Sequence, residues 1–262
     1  MLTAMFSRIT WSIEELPLPK GLLEQDYQQL IHNLYDEKMR IASAADNDKS
    51  ELVNYYTLWA HQIKTPIAAM RLLLQTNENP QNNALLVELF KIEQYVEMVL
   101  QYLRLDSSSS DYVLKNYQLD EIVRQAVRKY AQLFILKKIR LDFQTSGIDV
   151  LSDEKWLTYV VEQLLSNSLK YTVSGSISIY SEGKTLIIED TGIGIAAEDL
   201  PRVFEKGFTG YNGRADKKST GIGLYLVKRI LDKLGHTITI ESKIGKGTKV
   251  LIGLDTVTIA VE

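Results

Sequence analysis

Leu186-Ile-Ile-Glu-Asp190-Thr-Gly192-Ile-Gly194 carries an apolar run into an acid and two closely spaced glycines. Such a run bounded by turn residues reads as a buried strand. Glycines at that spacing let the backbone turn sharply and come close to a ligand. Asp190, at the strand end, is placed to accept a hydrogen bond from a nucleobase amine. The string also satisfies the dinucleotide pattern Gly-x-Gly-x-x-Ala through Ala197. That reading fails on context, because Glu198-Asp-Leu-Pro201 and a polar stretch follow where an apolar helix is required.

The chain on either side of this stretch adds two more elements. Glu162-Gln-Leu-Leu-Ser-Asn167-Ser-Leu-Lys170-Tyr171 has helical spacing. Gln163, Asn167, Lys170 and Tyr171 form one polar stripe on it, and Val160, Val161, Leu164 and Leu165 form the apolar side. Asn167 offers a neutral oxygen suited to hydrated Mg²⁺, and Lys170 a charge suited to phosphate. Gly221-Ile-Gly223-Leu224 opens a second amphipathic helix, preceded by Lys217-Lys218-Ser219-Thr220. Amide groups at a helix start beside lysines make an anion site. Between these elements, Thr191–Thr220 has no long apolar run and reads as an active-site lid or a disordered loop. Gly245-Lys-Gly247 imitates a phosphate loop but sits between two strands, so it reads as a hairpin turn.

The N-terminal half is helical. From Leu52, apolar residues recur at Tyr56, Trp59, Ile63, Pro66, Met70 and Leu73, a four-three heptad seam. His61 falls roughly 160–200° around the helix from that seam, an imidazole turned outward. Pro66 predicts a bend beside it. The seam is also clear in Tyr27, Ile31, Leu34 and Ile41, and weakens across residues 43–50 as a stutter would make it. Asn77-Glu-Asn-Pro80 ends the first helix, and Pro80 is well placed to start the next. That helix repeats the alternation at Leu85, Leu89, Ile92, Val96, Val99 and Leu103. One antiparallel hairpin can hardly bury both stripes, so a homodimeric four-helix bundle is expected.

Residues 1–20 read as an extended lead-in, 21–106 as the helical domain, 107–111 as a serine linker and 112–262 as an α+β two-layer sandwich. Its expected strands are 112–117, 139–143, 176–180, 185–189, 237–242 and 249–254. Helices are expected over 119–136, 154–171 and 221–234. The net charge of −3 gives no electrostatic case for nucleic acid. The absence of cysteine excludes disulfides and thiolate metal sites. Three scattered histidines have no metal-ligand spacing, and His32 and His236 read as structural. No stretch approaches the roughly 20 apolar residues that cross a bilayer.

The helix stripe, the acid-glycine stretch and the second glycine pair occur in the order of the sensor histidine kinase ATP-binding domain, which the sequence resembles over residues 50–255. Asn167 resembles that family's N box and Asp190–Gly194 its first glycine box. Phe204 and Phe208 resemble its F box, Gly221–Gly223 its second glycine box, and the His61 run its phosphoacceptor box. Any one motif would be poor evidence; the ordered set is specific. The resemblance implies ATP and Mg as ligands, with Asp190 recognising adenine and Asn167 holding the metal. It places Lys170, Tyr171, Gly192, Gly194, Phe204, Phe208, Lys218, Ser219, Thr220, Gly221, Gly223 and Leu224 around the nucleotide. His61 would take the γ-phosphoryl group and pass it to an aspartate of a response regulator, and Thr65 would orient water for the reverse, phosphatase reaction.

Two departures stand out. Most relatives have a carboxylate after the phosphoacceptor, where this chain has Gln62, which can orient the imidazole but is a negligible base. Gln163 stands where many relatives carry Asn, and where relatives that hydrolyse ATP carry a Glu base. An ATP hydrolase of the same fold and a non-catalytic dimeric scaffold are the other readings. His61-Gln-Ile-Lys-Thr-Pro66 is similar to the short-sensor kinases that work beside peptide-exporting transporters. This implies a transporter as sensory partner and a cytoplasmic portion of a longer, membrane-anchored chain.

Overall fold

A computed structural model of the chain describes residues 18–75, 80–105, 112–210 and 220–255. The expected lead-in (but for its last three residues), the 77–79 break, the linker at 107–111, and Lys217, Lys218 and Ser219 lie outside the described residues. The chain divides into two compact units, Met1–Trp59 and Ala60–Glu262.

In the first unit, residues 22–59 belong to helix α1 (Leu22–Gln75), which continues without interruption through 43–50 and through Pro66. Leu30, Leu34, Ile41 and Leu58 are exposed along it, and His32 Nδ1 lies 2.8 Å from the Gln28 carbonyl of its own helix.

In the second unit, the rest of α1 packs on α2 (Pro80–Leu105) as an antiparallel hairpin. Lys64 pairs with Glu97 at 3.1 Å and Arg71 with Glu93, fixing the register. As partly exposed pairs they specify alignment more than they stabilise. The face of α1 that is buried carries Ala60 and Ile67, with Ile63 half-buried, and Pro66, Met70 and Leu73 remain exposed. On α2, Leu89, Val96 and Leu100 are buried, whereas Leu85, Ile92 and Val99 are 54%, 46% and 42% exposed. The α2 seam is thus only half-used within one hairpin, and α1 is buried on a face turned roughly 80° from its expected seam, of which only Ile63 is half-buried past residue 60.

The sandwich follows. Strand β1 (Lys115–Gln118) pairs antiparallel with β3 (Asp149–Ser152), a small ribbon. Strands β2 (Arg140–Phe143), β4 (Ser176–Glu182), β5 (Thr185–Asp190), β6 (Thr237–Lys243) and β7 (Gly247–Gly253) form a sheet of order β2-β4-β5-β7-β6. Its β2–β4 pair is parallel and the rest antiparallel. Helices α3 (Leu119–Lys137), α4 (Glu154–Tyr171) and α5 (Gly223–Lys233) form the second layer. Ile177, Ile179, Leu186, Ile188 and Ile252 of the sheet meet Leu157, Leu164, Leu165, Leu226 and Ile230 of the helices in one core. Strand β3 was not expected from the sequence; Val150 and Ser152 are its only buried residues, too short a pattern to stand out.

Two aspartates near helix starts tie distant segments to the helices. Asp153 Oδ1 accepts from Trp156 N at 3.1 Å as the N-cap of α4, and its Oδ2 accepts from Val113 N at 2.9 Å, anchoring the chain as it enters the sandwich. Asp120 accepts from Ser146 N, Ser146 Oγ and Gly147 N at 2.8, 2.9 and 3.0 Å. Burial works to raise the Asp120 pKa, but those hydrogen bonds outweigh it and hold the carboxyl below its usual range. Asp120→Ala should cost about 1–2 kcal/mol, read as a melting temperature lower by roughly 2–6 °C at pH 7. Because the folded pKa is depressed, this contribution is present above the unfolded pKa and fades as pH falls through the folded one. The two melting curves should therefore converge in acid; a constant gap would assign the effect to packing.

Candidate functional site

A cavity of about 490 Å³ opens between the helical layer and the edge of the sheet, within the usual range for a small-molecule site. Asp190, the last residue of β5, is buried on its wall. Its Oδ1 accepts from Gly192 N at 2.9 Å and from Thr248 N at 3.3 Å. Burial raises the Asp190 pKa above the ordinary carboxylate value, against the lowering effect of the Gly192, Ser168 and Thr248 hydrogen bonds. The sheet order explains the position, because β5 lies centrally between β4 and β7, with Asp190 opposite Ile177 and Thr248.

The glycine stretch is clamped on both sides. Ile193 N donates to the Tyr171 carbonyl at 3.2 Å, tying it to the end of α4, and Ile193 O accepts from Gly245 N at 2.8 Å. Gly194 has φ +73° and lies so close to β6 that a Cβ would sit 2.1 Å from Lys243 O. Only glycine meets both conditions. The 245–247 segment is thus a hairpin turn, as its setting implied, and it also braces the site.

The polar stripe of α4 faces this space: Gln163, Asn167, Lys170 and Tyr171 all line the cavity. Lys170 Nζ lies 5.0 Å from the centre of the Tyr171 ring. Gly221, Gly223, Leu224 and Thr220 line it from the start of α5, and a Cβ on Gly223 would lie 2.4 Å from Gln163 Nε2. The side chain of Gln163 therefore rests against the helix start. Phe208 is a wall residue with Arg202 stacked 4.4 Å from its ring centre, whereas Phe204 packs on the domain core and is not among the lining residues. The stretch expected to be a lid contains a 3₁₀ turn, Leu200–Arg202, with Pro201 inside it.

His61, Gln62 and Thr65 lie on α1, all exposed, and none borders the cavity. Thr65 Oγ1 donates to the His61 carbonyl at 3.3 Å. His236 is structural: it is buried, with Nε2 3.0 Å from Ser152 Oγ, and burial lowers its pKa.

Sequence reasoning missed a whole wall. Val87, Phe90, Lys91, Gln94, Tyr95 and Met98 of α2 border the same cavity, as do Tyr130, Leu133 and Lys137 of α3. Burial, then the charge of Lys91, lower the pKa of Lys137, whose ammonium donates to the Leu169 carbonyl. The spacing Val87, Phe90, Gln94, Met98, Tyr102 is helical, so a third stripe was present in the sequence, masked by its mixed polarity.

A family model described as histidine kinase-, DNA gyrase B- and HSP90-like ATPase matches residues 152–258. The chain is 34% identical to the sensor histidine kinase GraS of Staphylococcus haemolyticus (strain JCSC1435), over 94% of this chain and 78% of that one. It belongs to the sensor histidine kinases. The kinase is likewise 34% identical to the sensor histidine kinase YxdK of Bacillus subtilis (strain 168), over 76% of its own length, and spans 63% of the length of YxdK. Full-length ShkA, solved in complex with AMPPNP, is similar in fold, with a TM-score of 0.53 at 19% identity, covering 76% of the kinase and 45% of ShkA. An ATP-binding fold accordingly accounts for residues 152–258. Among the described residues, no helix is long and apolar enough to cross a membrane.

Proposed function

We propose that the kinase transfers the γ-phosphoryl group of ATP to His61 and then to an aspartate of a response regulator. What carries this reading is the pairing, in one chain, of an exposed histidine on the hairpin with a cavity that joins Asp190, Asn167, Lys170 and the α5 start. Asp190 accepts the adenine amine. Amides at the α5 start and the Lys170 ammonium take the phosphates. An imidazole nitrogen of His61 attacks the γ-phosphorus, the bond to the β–γ bridging oxygen breaks, ADP leaves, and the ring proton passes to solvent. Gln62 cannot take that proton, so it orients the ring.

Mg²⁺ fits the donors present. Asn167 supplies a neutral oxygen, and the described residues hold no cluster of three or more His, Cys, Asp or Glu. An ion held mainly by phosphates and water, with one amide ligand, suits that set. When bound, it neutralises charge between the β- and γ-phosphates. Lys218 and Ser219 are assigned to the phosphate end from the motif alone, and Thr65 to the phosphatase step from its place one turn from His61. Incubation with Mg²⁺ and γ-labelled ATP tests the reading: acid-labile, alkali-stable label on His61 supports it. Phosphate release without labelled protein would favour an ATP hydrolase.

The working unit is a homodimer, and its support is the set of seam residues left exposed: Leu85, Ile92 and Val99 on α2, Pro66, Met70 and Leu73 on α1. Ile92→Glu with Val99→Glu should weaken dimerisation at least about a hundredfold, since each buries a charge. Sedimentation at micromolar concentration should show a dimer for the parent and a monomer for the variant; equal masses would refute it. A membrane transporter as sensory partner, and a place on the cytoplasmic side of a membrane, follow from the likeness of His61–Pro66 to the short-sensor kinases.

A further inference from the structure

The β6–β7 hairpin meets the glycine stretch backbone to backbone. A Cβ on Gly194 would lie 2.1 Å from Lys243 O, and one on Gly247 would lie 1.8 Å from Asp190 O. No side chain fits between the segments at those points. One reaches the junction beside them: Ser242, half-buried on β6, the edge strand of the sheet, and paired in register with Thr248. Its Oγ lies 2.8 Å from Ile195 N, 2.8 Å from the Gly247 carbonyl oxygen and 2.9 Å from Thr248 Oγ1. Ser242 does not border the cavity, whereas Ile195 and Thr248 both do.

The direction of these bonds follows from the groups that make them. Ile195 N–H can only donate, and the Gly247 carbonyl can only accept. A serine hydroxyl has one proton and two lone pairs. Its proton therefore goes to Gly247 O and one lone pair to Ile195 N–H. The other lone pair is left for Thr248, whose hydroxyl must then donate. That leaves Thr248 with lone pairs, not a proton, to offer the cavity. The Thr248 backbone N–H is committed as well, to Asp190 Oδ1 at 3.3 Å, and Gly192 N–H donates to the same oxygen at 2.9 Å. Together these groups present a ligand with acceptors and no uncommitted donor.

We propose that Ser242 is the positioning residue for the base end of the nucleotide site. It ties the glycine stretch to the hairpin through Ile195 and locks Thr248 as an acceptor beside Asp190. This rests on the reading above, in which Asp190 accepts the adenine amine. The lock favours a 6-amino over a 6-oxo purine. Hypoxanthine carries an oxygen where adenine carries the amine, and beside Asp190 and a locked Thr248 that oxygen finds no donor.

Ser242→Ala frees the Thr248 hydroxyl to turn its proton into the cavity. In the full chain, calorimetry should show ADP affinity about tenfold lower, roughly the worth of one buried hydrogen bond. The preference for ADP over inosine diphosphate should shrink at least about threefold, because Thr248 can then donate to the 6-oxygen. Unchanged ADP affinity overturns the proposal, and so does an equal loss of both nucleotides, the mark of a merely structural serine. Ser242→Cys keeps nearly the same volume with a weak donor and should behave as Ser242→Ala. Parent-like binding by that variant would assign the effect to packing and overturn the proposal too. Ser242→Thr keeps the hydroxyl and should preserve the parent's preference. In a Thr248→Val background there is no hydroxyl to turn, so Ser242→Ala should leave the preference unchanged; a shift as large as in the parent breaks the coupling and refutes the lock. These readouts need no phosphoryl transfer. A parent that binds ADP and never labels His61 would sink the kinase reading and leave the role of Ser242 to be judged on binding alone.

Discussion

His61→Gln is expected to abolish acid-labile phosphoryl incorporation, at least about a thousandfold, while ADP still binds and the melting curve is unchanged. The size of the effect follows from the role. Removing a nucleophile removes the reaction, and no other described residue shares its place: its helical neighbours Gln62 and Thr65 have an amide and a hydroxyl, neither able to form a stable phosphoramidate. The absence of a folding penalty follows from exposure, since the ring lies outside both the hairpin face and the sandwich core. Phosphopeptide mapping of the parent under alkaline conditions should locate the group on residue 61. Retention of alkali-stable label in His61→Gln would move the phosphoacceptor to His32 or His236. His236 is an unfavourable substitute, being 2% exposed and engaged with Ser152.

Asp190→Asn is expected to weaken ATP and ADP binding by about a hundredfold, the worth of a charged hydrogen-bond acceptor in a buried site. The same change should raise the melting temperature of the nucleotide-free protein by roughly 2–4 °C. The sign follows from linkage. Burial raises the Asp190 pKa in the folded state, so the folded form holds the proton more tightly than the unfolded one. The stabilisation due to that proton is present below the unfolded pKa and is lost as pH rises through the folded pKa. At neutral pH the ionised carboxylate therefore opposes folding, and a neutral amide relieves it while still accepting from Gly192 and Thr248. Thermal scans with and without ADP separate the two effects. A variant that melts lower without nucleotide would show that the carboxylate is chiefly structural.

Much of this architecture was legible in the chain. Helix α4 was expected over 154–171 and spans Glu154–Tyr171. Its stripe of Gln163, Asn167, Lys170 and Tyr171 was expected to face a ligand, and all four border the cavity. The helix and the shared face of its stripe were legible because 3.6-residue periodicity and a strand running into glycines are local properties, encoded within a few turns of chain. Strand β3 was not legible, because four residues pairing with β1 across a helix leave too short a pattern. Phe204, expected beside the nucleotide from its motif, packs instead on the core, since spacing within a loop does not say which ring turns inward.

The sequence by itself determined the two long helices, the order of the nucleotide-binding elements and the outward placement of His61. Only the tertiary structure decided which face of each helix the hairpin buries, Ala60 and Ile67 on α1 and Leu89 and Val96 on α2, and that Phe90, Gln94 and Met98 line the same cavity as Asn167. The physical reason is one of range. A helix's own periodicity states which of its faces are apolar, but the partner of each face is chosen by residues far along the chain. Tyr130 meets Gln94 across 36 positions and Met98 meets Thr220 across 122, pairings that no local pattern can announce.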